Sequence, residues 1–208
     1  MEGAAGLNLL RQAHRIDQDL TLAVNALHCP ASDFVWQVFS DKYVWSVLYA
    51  AVLFFLYRRL GWKRATVVTL SCILTVAACD QLGNVVKEWV GRLRPCWDLN
   101  MTERGLHILE GKGNLYGFYS AHAANAAGFA VCSWLGFRND RSRSYRGYAW
   151  LIFPWAFLVG ISRVFVGKHF LGDVLAGFCT GALIGFLAAA LARRLTGMRS
   201  LSRPGKNC

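Results

Sequence analysis

Apolar residues run through this chain in blocks too long for an ordinary soluble core. Five segments, at about 43–60, 65–86, 118–137, 147–166 and 169–192, approach or reach the roughly 20 mostly apolar residues that cross a bilayer. The first, YVWSVLYAAVLFFLYRRL, is short but has aromatic ends. The fourth contains Pro154, which a membrane helix tolerates as a kink. The fifth carries Gly177, Gly181 and Gly185 four residues apart, a small-residue face for close helix contact. Residues 17–39 are different. Leu20, Val24 and Leu27 have helical spacing, but Asn25, His28, Pro30 and Asp33 interrupt the run. That pattern predicts two short interfacial helices broken at Pro30, not a sixth span. The expected fold class is therefore all-α: a polytopic membrane helix bundle of about five transmembrane helices plus N-terminal interfacial helices. It divides into interfacial helices (1–42), a transmembrane domain (43–192) and a basic tail (193–208) that includes RSLSRPGKNC.

Composition supports the membrane reading. Of the 208 residues, 55% are hydrophobic, and the charged fraction of 17% is below the roughly 25% of soluble domains. The net charge of +11 could point to nucleic acid, but its distribution explains it otherwise. One side of the bundle would hold the 58–64 turn, the 138–146 loop and the tail. That side carries 13 of the 23 basic residues against one acid, Asp140. The positive-inside rule puts it in the cytoplasm, with the N-terminal helices and the 88–117 loop facing outward. No nucleic acid partner is needed. The N-terminus lacks the pattern of a cleavable signal peptide. Of the seven cysteines, Cys72, Cys79, Cys132 and Cys179 fall inside spans as small apolar fillers, and Cys29 and Cys96 lie on one side, where a bridge could form.

Three polar clusters fall on the outward side, at the ends of different spans. The first, DQLGNVVKEWVGRLRPCW, places Lys87 and Arg94 seven residues apart, on one face if the helix persists. Asp80 and Asn84 precede them, and an acid within a span is normally paired, so Asp80 is expected to position Lys87 or Arg94. The second, YGFYSAHAANAAGFA, opens the third span with Ser120, Ala121 and His122. The third, SRVFVGKHFLGDVLAG, sets His169 and Asp173 four apart, so that Asp173 can accept one ring N–H and leave the other nitrogen free. Arg163 adds charge at the same level, and Lys168 has no assigned role. Three cations and a hydroxyl suit a phosphoryl group, and two histidines suit a nucleophile and a general acid. No clustered carboxylates could hold magnesium, and no Cys/His spacing points to zinc. The chemistry reads as phosphoryl transfer with no metal and no cofactor.

These residues resemble the signatures of the type 2 phosphatidic acid phosphatase superfamily. Lys87, six residues, then Arg94-Pro95 is similar to its first signature; Ser120-Ala121-His122 is similar to its second, usually Pro-Ser-Gly-His; Ser162-Arg163, five residues, His169, three residues, Asp173 is similar to its third. The resemblance covers about residues 43–192. It implies a membrane lipid phosphatase in which His169 is the nucleophile and forms a phosphohistidine. Asp173 would orient His169, and His122 would protonate the leaving oxygen and then activate water. Lys87, Arg94, Ser120, Ala121 and Arg163 would hold the phosphate. Tyr119 and Ala121 depart from the family pattern, which bears on substrate fit more than on chemistry. Undecaprenyl diphosphate or a lipid A phosphate is the expected substrate, with phosphatidylglycerol phosphate or phosphatidic acid as the alternative. The expected setting is the outer face of a bacterial inner membrane, with the glycine-rich 96–117 loop as a lid over the headgroup. A vanadium haloperoxidase and a non-catalytic lipid-binding protein are the remote alternatives.

Overall fold

A computed structural model describes residues 2–197. The basic tail beyond Gly197, including Arg199, Arg203 and Lys206, lies outside the described residues. The described residues form eight α-helices: α1 (Glu2–Asn25), α2 (Pro30–Ser40), α3 (Ser46–Leu60), α4 (Trp62–Val90), α5 (Leu99–Glu103), α6 (Ala121–Phe137), α7 (Arg146–Phe165) and α8 (Leu171–Leu195). All five expected apolar helices are present as α3, α4, α6, α7 and α8. Of these, α4, α7 and α8 are long and apolar enough to cross a membrane. The other two are shorter, α3 with 15 residues and α6 with 17.

Helix α6 is the centre of the bundle. Eleven of its residues are buried, most of them Ala or Gly, and α8, α4 and α7 surround it. The closest contact is with α8. A Cβ on Gly181 would collide with the Ala124 carbonyl, and one on Gly185 with Gly128. The four-residue glycine spacing is therefore a seam along which two backbones touch, as expected of a small-residue face. Because α6 and α8 share this seam and both begin at the same end, their N-termini lie side by side. Ser120 N donates to the Asp173 carbonyl across the gap (3.0 Å). Below the seam, Phe129, Trp155, Tyr49 and Ile152 fill an aromatic-rich core.

The N-terminal region forms the two helices expected, with Pro30 opening α2 at its first position, where its missing N–H is no loss; the first, α1, is longer than expected, at 24 residues. Asn25, one of the polar interruptions, belongs to a stripe along α1. Asp17, Thr21 and Asn25 are four residues apart and face the bundle, while Leu9, Leu10, Leu20 and Leu27 are exposed. Helix α1 is thus amphipathic with its polar face inward, the reverse of a helix on a soluble core. Cys29 and Cys96 are both free, one exposed and one buried, so the bridge that could have joined them is absent; Cys96 Sγ instead points at the Lys112 carbonyl (3.6 Å).

Candidate active site

The three clusters converge at the end of the bundle where α6 and α8 begin and α4 and α7 end. His169 and Asp173 are fully buried, at 2% and 0% exposure. Gly167, in the left-handed region at φ 76°, turns the chain sharply between α7 and α8, and the His107 carbonyl packs where a side chain would sit. His169 Nδ1 lies 3.5 Å from Asp173 Oδ2, near enough to orient the ring but longer than a formed hydrogen bond. The other end of the carboxylate is fixed: Arg92 Nη1 donates to Asp173 Oδ1 (2.7 Å). Arg92 also donates to Asp17 Oδ2 (2.7 Å) and stacks over the Phe170 ring at 4.0 Å.

Arg92 was not among the residues singled out from sequence, and the reason lies in how α4 ends. The helix does not persist to Arg94. Gly91 caps it in the left-handed conformation, φ 61°, and the chain then runs extended, with Leu93 bridged to Tyr116. Lys87 and Arg94 therefore do not share a helical face. Instead Arg92 and Arg94, two apart on extended backbone, point the same way, toward the site. Gly117 N donates to the Arg92 carbonyl (2.9 Å), and Arg94 Nε to the Tyr116 carbonyl (3.1 Å). Lys87 is half-buried on the last turn of α4, in the field of Arg94, Asp80 and Asp173.

The two adjacent helix N-termini differ. At α8 the first three donors are taken: Phe170 N by Asp173 Oδ2 (3.1 Å), Leu171 N by Thr21 Oγ1 (2.9 Å) and Gly172 N by Asp17 Oδ1 (2.8 Å). At α6, hydrogen bonding within the helix begins only with Ala124 N, which donates to the Ser120 carbonyl (3.0 Å). The N–H groups of Ala121 and His122 have no backbone acceptor outside the helix among the described residues. Among the described residues, Ser120 Oγ is buried without a hydrogen-bond partner, as are Arg163 Nε and His169 Nδ1. Buried polar atoms are rarely left so, and donors grouped at a helix N-terminus form an anion site.

Arg163 is buried and held by α2 and the 96–117 loop, through Ser40 Oγ and the Glu110 carboxylate at 3.4 Å. Lys168, left without a role by the sequence, belongs with these cations. It is buried, donates to the Gly111 carbonyl, and faces Gly113, where a Cβ would lie 3.3 Å from its Nζ and 3.6 Å from Arg94 Nη1. Burial lowers its pKa below the usual lysine range. Nothing short-range in the sequence marks Glu110 or Ser40, which lie 53 and 123 residues from Arg163.

Asp80 departs from expectation. It accepts from Asn125 Nδ2 (2.8 Å) and pairs with neither Lys87 nor Arg94. Asn84 is exposed on α4. Tyr119, where the signature usually has Pro, is buried and donates to the Cys79 carbonyl (2.9 Å), tying the start of α6 to α4. Beside His122 opens a cleft of about 620 Å³, lined by Phe39, Trp45, Tyr49, Leu53 and Phe129, with Lys42, Asp80 and Asn125 as its polar residues.

Comparison with known proteins agrees with this arrangement. The sequence pattern of the PAP2 superfamily matches residues 69–196. The chain belongs to the PAP2 superfamily. It is 34% identical over 183 residues to a lipid A 4'-phosphatase of Bacteroides thetaiotaomicron, which covers 87% of this chain and 79% of that one. A lipid A 4'-phosphatase of Porphyromonas gingivalis is 29% identical and covers 82% of this chain and 70% of its own. The crystal structure of a transmembrane PAP2 type phosphatidylglycerolphosphate phosphatase from Bacillus subtilis has the same fold, with a TM-score of 0.68 at 23% identity over 88% of each chain. This PAP2 protein is accordingly a membrane lipid phosphatase that hydrolyses phosphate esters.

Proposed function

We propose that this PAP2 protein dephosphorylates a lipid A phosphate through a phosphohistidine on His169. The phosphate would sit at the N-terminus of α6, among the Ala121 and His122 N–H groups, Ser120, Lys87, Arg94, Arg163 and Lys168. His169 attacks phosphorus through Nε2. The bond to the lipid oxygen breaks, and that oxygen takes a proton from His122. His122 then removes a proton from water, whose oxygen attacks phosphorus and breaks the P–N bond. Asp173 accepts from Nδ1–H and stabilises the charged ring, and Arg92 holds Asp173 in place. No step calls on a metal.

The observation that carries the substrate reading is the cleft beside His122. Its apolar wall suits an acyl chain, and Lys42, Asp80 and Asn125 offer donors and acceptors to a saccharide next to the phosphate. A polyprenyl chain would leave those groups unused. The similarity to two lipid A 4'-phosphatases supports the same choice. The excess of basic residues at the opposite end supports an outward-facing site and a cytoplasmic C-terminus. Residues 43–192 form the phosphatase bundle, with 1–42 closing it from outside. The test is phosphate release from a panel: lipid A phosphates, undecaprenyl diphosphate, phosphatidylglycerol phosphate and phosphatidic acid. The highest kcat/KM should fall on a lipid A phosphate, and Asp80→Ala with Asn125→Ala should erase that preference. A preference for undecaprenyl diphosphate would sink the substrate assignment and leave the reaction intact.

A further inference from the structure

Outside the phosphate site, three potential metal ligands meet where α1, α2 and the lid come together. His28 follows α1, Asp33 lies in the first turn of α2, and His107 belongs to the lid. His107 Nε2 is 3.1 Å from Asp33 Oδ2, and His28 Nδ1 is 3.5 Å from Asp33 Oδ1, so one carboxylate faces both rings. The imidazoles stack with centroids 3.6 Å apart and planes 6° from parallel. A ring nitrogen from each and a carboxylate oxygen lie within 4.8 Å of one another. His28 Nδ1 and Asp33 Oδ1 are buried and face each other without a hydrogen-bond partner among the described residues. That is an unusual state for two polar atoms, and a cation between them would satisfy both.

We propose that His28, Asp33 and His107 bind a divalent transition cation of the zinc class, with water as the fourth ligand. Two imidazoles with one carboxylate favour such an ion over magnesium or calcium, which prefer all-oxygen sites. Ligands about 2.1 Å from a tetrahedral ion stand about 3.4 Å apart, so no separation within the cluster, all within 4.8 Å, need close by more than about 1.4 Å, and the rings must turn out of their stack. The side chains have room for this, being 32%, 17% and 30% exposed for His28, Asp33 and His107.

The ion would be a clasp on the lid, remote from the reacting atoms. Asn25 already brackets His107, accepting from its N–H (2.8 Å) and donating to its carbonyl (3.0 Å). The same amide donates to the Val164 carbonyl (3.0 Å), next to Arg163. Three residues beyond His107, Glu110 pairs with Arg163. Fixing His107 to Asp33 thus fixes the lid segment that covers the phosphate-binding cations. No short spacing shows this in the sequence, because the ligands come from positions 28, 33 and 107.

The test uses the full chain in detergent, stripped with a chelator and dialysed against Zn²⁺, with bound metal measured by elemental analysis. One saturable ion per chain is expected. His28→Gln and His107→Gln should each weaken it by more than the roughly 10–100-fold that outer-shell changes cost. Cys29→Ser, removing the neighbouring exposed thiol, should leave it unchanged. Zn²⁺ should slow hydrogen exchange at residues 106–111. Absence of a saturable ion in the wild type, or its retention in the double histidine variant, would overturn the site. Binding without slowed exchange would overturn the clasp. Matching thermal unfolding of variants and wild type in chelator establishes that the variants are folded.

Discussion

Helices α6 and α8 begin side by side, yet their N-termini are finished in opposite ways. The start of α8 is closed by protein: Asp17, Thr21 and Asp173 accept its first N–H groups, and Arg92 ties two of these carboxylates together. The start of α6 is open, with Ser120 Oγ buried and without a hydrogen-bond partner among the described residues. Two equivalent dipoles at one end of a bundle could both attract an anion. On the proposed reading, closing one of them leaves the phosphate to α6 and makes α8 a rigid mount for His169 and Asp173. The comparison separates what binds substrate from what holds the binding groups still.

The open end can be broken without breaking the helix. Ala121 is the first residue of α6, a position where proline is tolerated, and Ser120 already has the extended backbone that must precede one (φ −73°, ψ 109°). Ala121→Pro should remove one phosphate donor and lower kcat/KM by about 10²–10³-fold, the loss typical of one such donor, with thermal stability unchanged. Activity near wild type would show that phosphate does not bind there. At the closed end, Arg92→Ala should release Asp173 and lower kcat by about 10²-fold with little change in KM, as expected when a catalytic group is misplaced by about 1 Å. Arg92→Lys should recover part of this, and equal losses of kcat in Arg92→Ala and Arg92→Lys would argue against positioning through the bidentate guanidinium. The smallest effect belongs to Thr21→Val, which removes a single acceptor from α8. Stability should fall by about 1 kcal/mol, measured by thermal unfolding, and activity should stay within a few-fold.

How much of this was legible in the sequence follows the same division. The apolar blocks and the glycine spacing mark α4, α7, α8 and the seam, because lipid-facing and close-packed helices leave continuous local patterns. The residues proposed to carry the chemistry, His122, His169 and Asp173, show as ionisable groups at the ends of apolar runs. The closed end was hidden. Asp17 and Thr21 bond residues 155 and 150 positions away, and within their own helix they read as breaks in an apolar pattern. Arg92 was hidden by the assumption that α4 continues to Arg94; Gly91, followed by two arginines at alternate positions, was the available signal for an extended segment. Asp80 misled because its partner, Asn125, is a neutral amide on another helix.

The most direct test of the central claim is to trap the intermediate. Wild-type protein would be mixed with a ³²P-labelled lipid phosphate, quenched in base within one turnover, and digested for mass spectrometry. An acid-labile, base-stable phosphoryl group on His169, absent from His169→Ala along with phosphate release, is the predicted result. Phosphate release that persists in His169→Ala, or a phosphoryl group on another residue, would contradict the account.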